Sequence, residues 1–129
     1  MKLYERILDS RIRAFLHTPV EQCGFRKKFS TLHQIFRLSI ILRHCSLANL
    51  GPYLAFIDLK QAFERAWRDG ILYRLWQEGI RGKLWRVVRA FLLGTEAFVR
   101  SNLGDSEIFT LTEGVLQGSV LAALLFIIS

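Results

Sequence analysis

The 129-residue sequence has few of the residues that mark disulfide-bonded or metal-binding proteins. It contains only two cysteines, Cys23 and Cys45, which are too far apart for a CxxC motif. Two cysteines do not make a disulfide framework, and this spacing indicates neither a zinc site nor a redox pair. The three histidines have no metal-ligand spacing either. The sequence therefore predicts an intracellular protein, cytoplasmic or nuclear, in a reducing compartment.

Acidic residues are also scarce, with 11 Asp and Glu against 18 Lys and Arg, which gives a formal net charge of +7. Residues 1–50 carry nine basic and three acidic side chains, whereas residues 51–129 carry nine and eight. A clustered basic excess attracts polyanions, so it favours contact with nucleic acid over the alternative of a merely solvated basic surface. The run Arg26-Lys27-Lys28 is the candidate nucleic-acid-binding segment.

The sequence lacks an apolar run that would direct export or span a membrane. Its N-terminus mixes charged residues into an amphipathic pattern, unlike a signal peptide. Residues 114–129 carry no charge, but a bilayer requires roughly 18–20 apolar residues, so a membrane tail is the least favoured interpretation. We expect a buried helix or strand from Ser119 onward. We also expect aggregation of the isolated chain, because the packing partners of this segment would lie outside it.

Apolar residues at helical spacing predict three amphipathic helices, over residues 2–16, 31–47 and 82–93. Thr31 and Gln34 have the spacing of a capping box, which predicts the start of the second helix, with its apolar side chains buried. Another helical stretch is expected behind Asp58, interrupted at Asp69-Gly70 and ended by Gly79. The three tryptophans are expected in the core.

Two strand regions are predicted. Residues 53–58 form an apolar run too short for a helix and typical of a central strand buried on both faces. Residues 97–101 and 108–112 predict a hairpin joined by turn residues. The predicted fold class is therefore α/β, with helices packed around the short strand and the hairpin.

Two segments carry the candidate active-site residues. In Tyr53-Leu-Ala-Phe-Ile-Asp58-Leu-Lys-Gln-Ala-Phe63-Glu64, an apolar run brings one carboxylate to its end, a position suited to holding a metal ion. The alternative is that Asp58 only caps the helix behind it. In Glu113-Gly-Val-Leu-Gln117-Gly118-Ser-Val-Leu, a glutamine followed by glycine precedes an apolar helix.

In this order the two segments resemble the first and second palm motifs of reverse transcriptases from non-LTR retrotransposons. The resemblance extends from about residue 2 to residue 128. It implies a truncated RNA-directed DNA polymerase domain over residues 1–129, with part of the fingers and part of the palm of a right-hand polymerase. Residues 1–50 would be the basic helical fingers part and residues 51–129 the partial palm. The implied partners are an RNA template, a DNA primer and deoxynucleotides.

The same resemblance implies roles for single residues. Asp58 matches the catalytic carboxylate that binds Mg²⁺, and the backbone carbonyl of Leu59 matches one that helps hold a metal ion. Gln117 and Gly118 match nucleotide-binding positions, Gly118 by allowing close backbone approach. Phe63 matches the bulky residue that excludes a ribose 2′-hydroxyl, with a core phenylalanine as the alternative.

Departures from the family pattern also bear on activity. Glu64 stands where the family usually has Asp, which keeps the charge and lengthens the arm. The pair of neighbouring aspartates that the family places downstream of the second motif does not occur in the 129 residues. Because one carboxylate does not hold two metal ions, we expect the chain alone to be inactive, with the rest of the palm and the thumb missing at its C-terminal side. The alternative is a non-catalytic, basic nucleic-acid-binding module derived from such a domain.

Overall fold

The computed structural model describes residues 2–128. Met1 and Ser129 lie outside the described residues. They are the two ends of the expected domain 1–129, and Ser129 is also the end of the uncharged segment 114–129. The chain divides into two compact units, Met1–His17 with Gln61–Ser129, and Thr18–Lys60. The described helices are α1 (Lys2–Arg13), α2 (Thr31–Leu47), α3 (Arg68–Gln77), α4 (Gly82–Leu93) and α5 (Val120–Ile128). The described strands are β1 (Glu96–Ala97), β2 (Arg100–Ser101), β3 (Gly104–Asp105) and β4 (Phe109–Thr110).

Helix α5 lies at the centre of the first unit. It packs against α1 and α3, and α3 packs in turn against α4. Apolar residues follow one another without interruption in α5, as expected for a helix surrounded by protein, and Leu121 and Leu125 are completely buried. The predicted buried helix is therefore confirmed for Val120–Ile128, in which five residues are buried and the other four are half-buried. The expectation that its packing partners lie outside the chain is wrong, because α1 and α3 cover the helix.

Helix α3 begins later than predicted and ends where expected. Residues 60–65 form turns, so the interruption precedes Arg68, and Asp69-Gly70 lies inside the first turn of α3. At the other end Gly79 has a φ of +85°, and the amide of Ile80 donates to the carbonyl of Leu75 at 3.0 Å. A left-handed glycine with this backbone hydrogen bond is a Schellman ending, which confirms Gly79 as the stop.

The tryptophans are less buried than predicted. Trp67 is 71% exposed and Trp76 is 46% exposed, so the core assignment is wrong for both. Trp85 is half-buried, and its indole NH donates to the carbonyl of Leu72 at 3.0 Å. The reason for Trp67 is its place before α3, since it is the N-cap residue and does not lie on the buried face of a helix.

The predicted hairpin is confirmed, with shorter strands. The outer pair β1 and β4 is antiparallel, with Ala97 opposite Phe109, and the inner pair β2 and β3 sets Ser101 opposite Gly104. Gly104 has a φ of +124°, which only glycine adopts readily at a hairpin turn. The hairpin leads through Leu111 to the Glu113–Gly114 bend.

The second unit contains α2 and departs most from prediction. Ser30, rather than Thr31, is the N-cap, and it forms a capping box with His33. None of the residues of α2, all of them described, is buried, so the expectation that its apolar side is buried is wrong. Residues 53–58 do not form the predicted strand, because both described sheets lie entirely within residues 96–110. No described strand pairs with residues 53–58, and all six of these residues are exposed.

The described residues thus combine five helices with two small antiparallel sheets, in agreement with a mixed α/β class, although the helices do not surround a central strand. Within residues 2–128, no helix has both the length and the apolar character needed to cross a bilayer.

Candidate functional site

In the first unit, the structure joins residues 63–66, at and just after the end of the first motif segment, to residues 114 and 115 of the second. The amide of Val115 donates to the carbonyl of Phe63 at 2.8 Å, and the amide of Gly114 donates to the carbonyl of Ala66 at 3.0 Å. Gly114 has a φ of +76°, and a Cβ there would lie 2.4 Å from the carbonyl oxygen of Glu64. A side chain at residue 114 would separate the segments, so this contact requires glycine.

Gln117 lies at the tip of a tight turn that follows this contact. The amide of Ser119 donates to the carbonyl of Leu116 at 3.1 Å, and Gly118 has a φ of +84°. A positive φ at the third residue is typical of a type II turn. Apart from its own chain neighbours, no atom of the described residues lies within 4 Å of a Cβ placed on Gly118. Glycine is therefore favoured at Gly118 by its φ, whereas the close approach within the chain occurs at Gly114.

The far side of the turn is anchored by a buried carboxylate. Glu5, on α1, accepts hydrogen bonds from the Ser119 hydroxyl at 2.8 Å and from the Val120 amide at 2.6 Å. Burial would raise the pKa of Glu5, but these hydrogen bonds and a weaker one from Leu121 outweigh it and hold that pKa below its ordinary value. A carboxylate at the first amides of α5 also faces the positive end of the helix dipole.

Arg68 is a buried cation behind the same loop, with 4% of its surface exposed. Its Nε donates to the carbonyl of Gly114 at 2.7 Å, and one terminal nitrogen donates to the carbonyls of Leu92 and Leu111. Burial lowers the pKa of Arg68, although an arginine remains protonated at neutral pH. Because Leu92 lies in the last turn of α4, the guanidinium also lies at the negative end of a helix dipole.

A cavity of about 250 Å³ opens between these elements. Its lining combines two carboxylates, one guanidinium, one carboxamide and apolar groups: Glu64, Arg68, Leu111, Glu113, Gly114, Val115, Leu116 and Gln117. Ligand pockets range from roughly 300 Å³ upward, so this cavity has room for part of a nucleotide-sized ligand. Of the lining groups, the Gln117 carboxamide donates to the Glu64 carboxylate.

Phe63 contributes its carbonyl to the motif contact and its ring to the core. The ring stacks on that of Phe126 in α5, with the centroids 4.6 Å apart and an angle of 20° between the planes. Phe63 is half-buried and lies in a turn, so it is not on a helical stripe. The structure therefore gives the ring a packing role beside its expected one.

Asp58 and Leu59 belong to the second unit, and both are exposed. The alternative that Asp58 caps a helix is wrong, because turns follow it and α3 begins only at Arg68. Within residues 2–128, no group of three or more His, Cys, Asp or Glu side chains could hold a metal ion. The two donors expected from the resemblance, the carboxylate of Asp58 and the carbonyl of Leu59, do not by themselves fit a two-magnesium site.

The three basic residues 26–28 of the second unit differ in their exposure and contacts. Arg26 is half-buried, donates to the carbonyl of Pro19 at 3.1 Å, and lies with its guanidinium 5.0 Å from the centre of the Phe29 ring. Lys27 and Lys28 are exposed. Arg26 therefore stabilises its loop, while the two lysines present their charges to solvent.

Comparison with known proteins identifies the family of the chain. The model of the reverse transcriptase (RNA-dependent DNA polymerase) family matches residues 1–129. This chain belongs to the reverse transcriptase family. The chain is 30% identical to a probable RNA-directed DNA polymerase from transposon BS and 29% identical to one from transposon X-element, both of Drosophila melanogaster. It is also 30% identical to the RNA-directed DNA polymerase from mobile element jockey of the same organism.

These matches cover 97% of this chain but only 14% of each of the three relatives. No solved structure matches the chain significantly. The predicted family, a non-LTR retrotransposon reverse transcriptase, is thus confirmed.

Two charged residues of the site, Glu5 and Arg68, were missed from the sequence, although the position of each in its helix was a recognisable signal. Glu5 lies three and seven residues before the buried Leu8 and Ile12, so an acidic side chain interrupts an apolar helix face. Arg68 is a basic residue at the start of α3, where the helix dipole disfavours positive charge. A charge in an unfavourable position indicates a specific partner elsewhere in the fold.

Proposed function

We propose that this chain is part of the fingers and palm of a reverse transcriptase and that its first unit helps bind an incoming deoxynucleotide during RNA-directed DNA synthesis. The observation that carries the proposal is the direct contact between the two motif segments, through the Val115–Phe63 hydrogen bond and the glycine at Gly114. We assign residues 1–50 to the fingers and residues 51–129 to the palm, as the resemblance implies.

Each site residue has a proposed role. Gln117 contacts the nucleotide, Gly118 lets it approach the backbone, and the ring of Phe63 disfavours a ribose 2′-hydroxyl. Asp58 and the carbonyl of Leu59 are proposed ligands of Mg²⁺, which in the family supplies charge stabilisation for nucleotidyl transfer. Because the described residues supply an incomplete donor set, these 129 residues are proposed not to catalyse synthesis alone.

The nucleotide contact is tested by titrating the ¹⁵N-labelled chain with a deoxynucleoside triphosphate and following the Gln117 side-chain amide by NMR. We expect this signal to shift, and Gln117→Ala to weaken binding about tenfold. Gln77→Ala is the matched control, because Gln77 is an exposed glutamine in α3 that contacts Tyr73. Equal losses in the two variants, or no shift at Gln117, would reject the nucleotide contact.

The proposed inactivity is tested by primer extension on an RNA template with labelled deoxynucleotide. The chain alone should add none. Incorporation that Asp58→Asn abolishes would refute the proposal and would identify a complete catalytic site within this chain.

A second candidate function, a nucleic-acid-binding module, is favoured by the charge of the second unit. Residues 18–60 carry six basic and two acidic side chains, and Lys27 and Lys28 are exposed. We propose weak binding of RNA or DNA without sequence preference, in the cytoplasm or nucleus, with Arg26 supporting the loop of the two lysines.

Fluorescence anisotropy with a labelled single strand tests this binding over a range of salt concentrations. Replacing Lys27 and Lys28 by Ala should flatten the slope of log K against log salt by roughly 1.4, since each phosphate contact contributes about 0.7. Replacing Lys83 and Arg86, which are exposed on α4, removes the same charge and is the control. Equal slopes in both double variants would contradict a specific role for the lysines.

A further inference from the structure

Glu64 and Gln117 are linked by a side-chain hydrogen bond between the two motif segments, in which the Gln117 Nε2 donates to the Glu64 Oε1. An ionised carboxylate only accepts hydrogen bonds, whereas a carboxamide has one accepting oxygen and one donating nitrogen. The partner therefore fixes which way the carboxamide points: its nitrogen faces Glu64, and its oxygen is left to accept a hydrogen bond elsewhere.

The backbone around the pair keeps residue 64 beside the loop of Gln117. A Cβ on Gly114 would lie 2.8 Å from the Cα of Glu64, so the two backbones are in van der Waals contact. The hydrogen bonds of Phe63 and Ala66 to Val115 and Gly114 hold this contact from both sides. Movement of the Glu64 backbone toward Gln117 is thus restricted, and the length of the side chain decides whether the carboxylate reaches the carboxamide.

We propose that Glu64 is a positioning residue that orients the Gln117 carboxamide so that its oxygen accepts a hydrogen bond from a donor group of the incoming nucleotide. This proposal rests on the proposed nucleotide-binding function. Glutamate suits the role because aspartate is one methylene shorter, roughly 1.5 Å. Both side chains are exposed, and a solvated hydrogen bond contributes little to folding stability, so the orientation of Gln117 is the property that depends on it.

The link is tested by NMR of the ¹⁵N-labelled full chain without nucleotide. Glu64→Ala should move the Gln117 side-chain amide signals toward those of a free glutamine and accelerate their hydrogen exchange several-fold, while the melting temperature stays within about 2 °C of the parent. Glu64→Asp should place the Gln117 amide signals between those of the parent and of Glu64→Ala. Glu64→Gln keeps the side-chain length and one acceptor oxygen, so the Gln117 amide should stay partly protected from hydrogen exchange. Unchanged Gln117 signals in Glu64→Ala would overturn the proposal.

The control is Glu113→Ala. Glu113 lines the same cavity and carries the same charge, and it has no hydrogen bond to Gln117 among the described residues. This variant should leave the Gln117 amide signals in place. Equal perturbation by the two alanine variants would show that the charge of the cavity, rather than the link, sets the Gln117 signal, and would overturn the proposal.

A titration with a deoxynucleoside triphosphate separates this proposal from the function on which it rests. We expect Glu64→Ala to weaken binding fivefold to tenfold and Glu64→Gln to restore part of it. If Gln117→Ala weakens binding while Glu64→Ala does not, the nucleotide contact stands and the positioning role is overturned. If the parent chain itself gives no response at Gln117, the nucleotide contact fails, and the orienting role of Glu64 is decided by the amide signals alone.

Discussion

The Ser119 hydroxyl donates a hydrogen bond of 2.8 Å to the carboxylate of Glu5, 114 residues earlier in the sequence. The same carboxylate oxygen accepts from the amide of Val120, so one buried side chain of α1 satisfies the start of α5. Since the turn of Gln117 ends at Ser119, the carboxylate also fixes one end of the candidate site. The loop is therefore held from both sides, by Glu5 and by the contact at Gly114.

Replacement of Glu5 by Gln should lower the free energy of unfolding by about 1–3 kcal/mol at pH 7, because the hydrogen bonds from Ser119 and Val120 would then have a neutral acceptor in place of a charged one. The pKa of Glu5 is lowered in the folded state from an ordinary value of 4.5. Its contribution is therefore complete above pH 4.5 and is lost as the pH falls through the folded-state pKa. Urea denaturation between pH 7 and pH 3 should show the parent and the variant converging at acidic pH.

The matched control for Glu5 is Asp9→Asn on the same helix. Asp9 pairs with Arg13 one turn away at 2.9 Å, and helical pairs of this spacing contribute about 0.3–0.5 kcal/mol. A stability difference between parent and Glu5→Gln that stays constant down to pH 3 would show that the charge of Glu5 is not what stabilises α5.

The parts of the fold predicted from the sequence are those decided by local pattern. Helix α4 matches its predicted bounds, and Gly79 ends α3 as expected, because apolar spacing and a left-handed glycine act within one or two turns. The apolar run 53–58 was misread as a buried strand because a strand depends on a neighbour, and no described strand pairs with it. The pattern of one segment does not reveal whether another segment pairs with it.

The sequence likewise predicted only part of the candidate site. The resemblance directed attention to Gln117 and Gly118, which do lie together in a turn. It gave no sign of the hydrogen bonds from Arg68, because these run to backbone carbonyls, which every residue type possesses. Nor did it single out Gly114, whose requirement for glycine arises from a backbone fifty residues earlier, at Glu64.

Gly114→Ala and Gly118→Ala form a matched pair of variants. Both glycines have positive φ, +76° and +84°, so each alanine should cost about 1–2 kcal/mol of backbone strain. Only at Gly114 does the new Cβ also meet the backbone of Glu64. Gly114→Ala should therefore destabilise the chain by clearly more than Gly118→Ala in chemical denaturation. Equal costs would mean that the motif segments separate readily and that their contact is weak.

Arg68→Met should destabilise the chain by roughly 3 kcal/mol, because it leaves the carbonyls of Gly114, Leu92 and Leu111 without their shared donor. Arg68→Lys should fall between the parent and the methionine variant, since one ammonium group cannot reproduce the planar fork. Thermal denaturation followed by circular dichroism measures both.

The exposed Arg65 provides the control for Arg68. Arg65→Met should change stability by no more than about 0.5 kcal/mol, as is usual for surface positions. If Arg68→Met were equally mild, water would have to replace the guanidinium at the three carbonyls, and Arg68 would not organise the loop.

The burial of α5 removes the reason given above for expecting the isolated chain to aggregate, because the apolar helix has packing partners within the chain. Leu125 is completely buried between helices, so Leu125→Ala should cost about 2–5 kcal/mol through lost contacts and a residual cavity. Leu103→Ala, at the fully exposed tip of the hairpin, is the control and should leave the free energy of unfolding unchanged.

Deletion of residues 121–129 should abolish cooperative unfolding and lower the soluble yield, because α1 and α3 would lose the helix that they cover. A deleted chain that is more soluble and still unfolds cooperatively would show that α1, α3 and α4 form a core without α5.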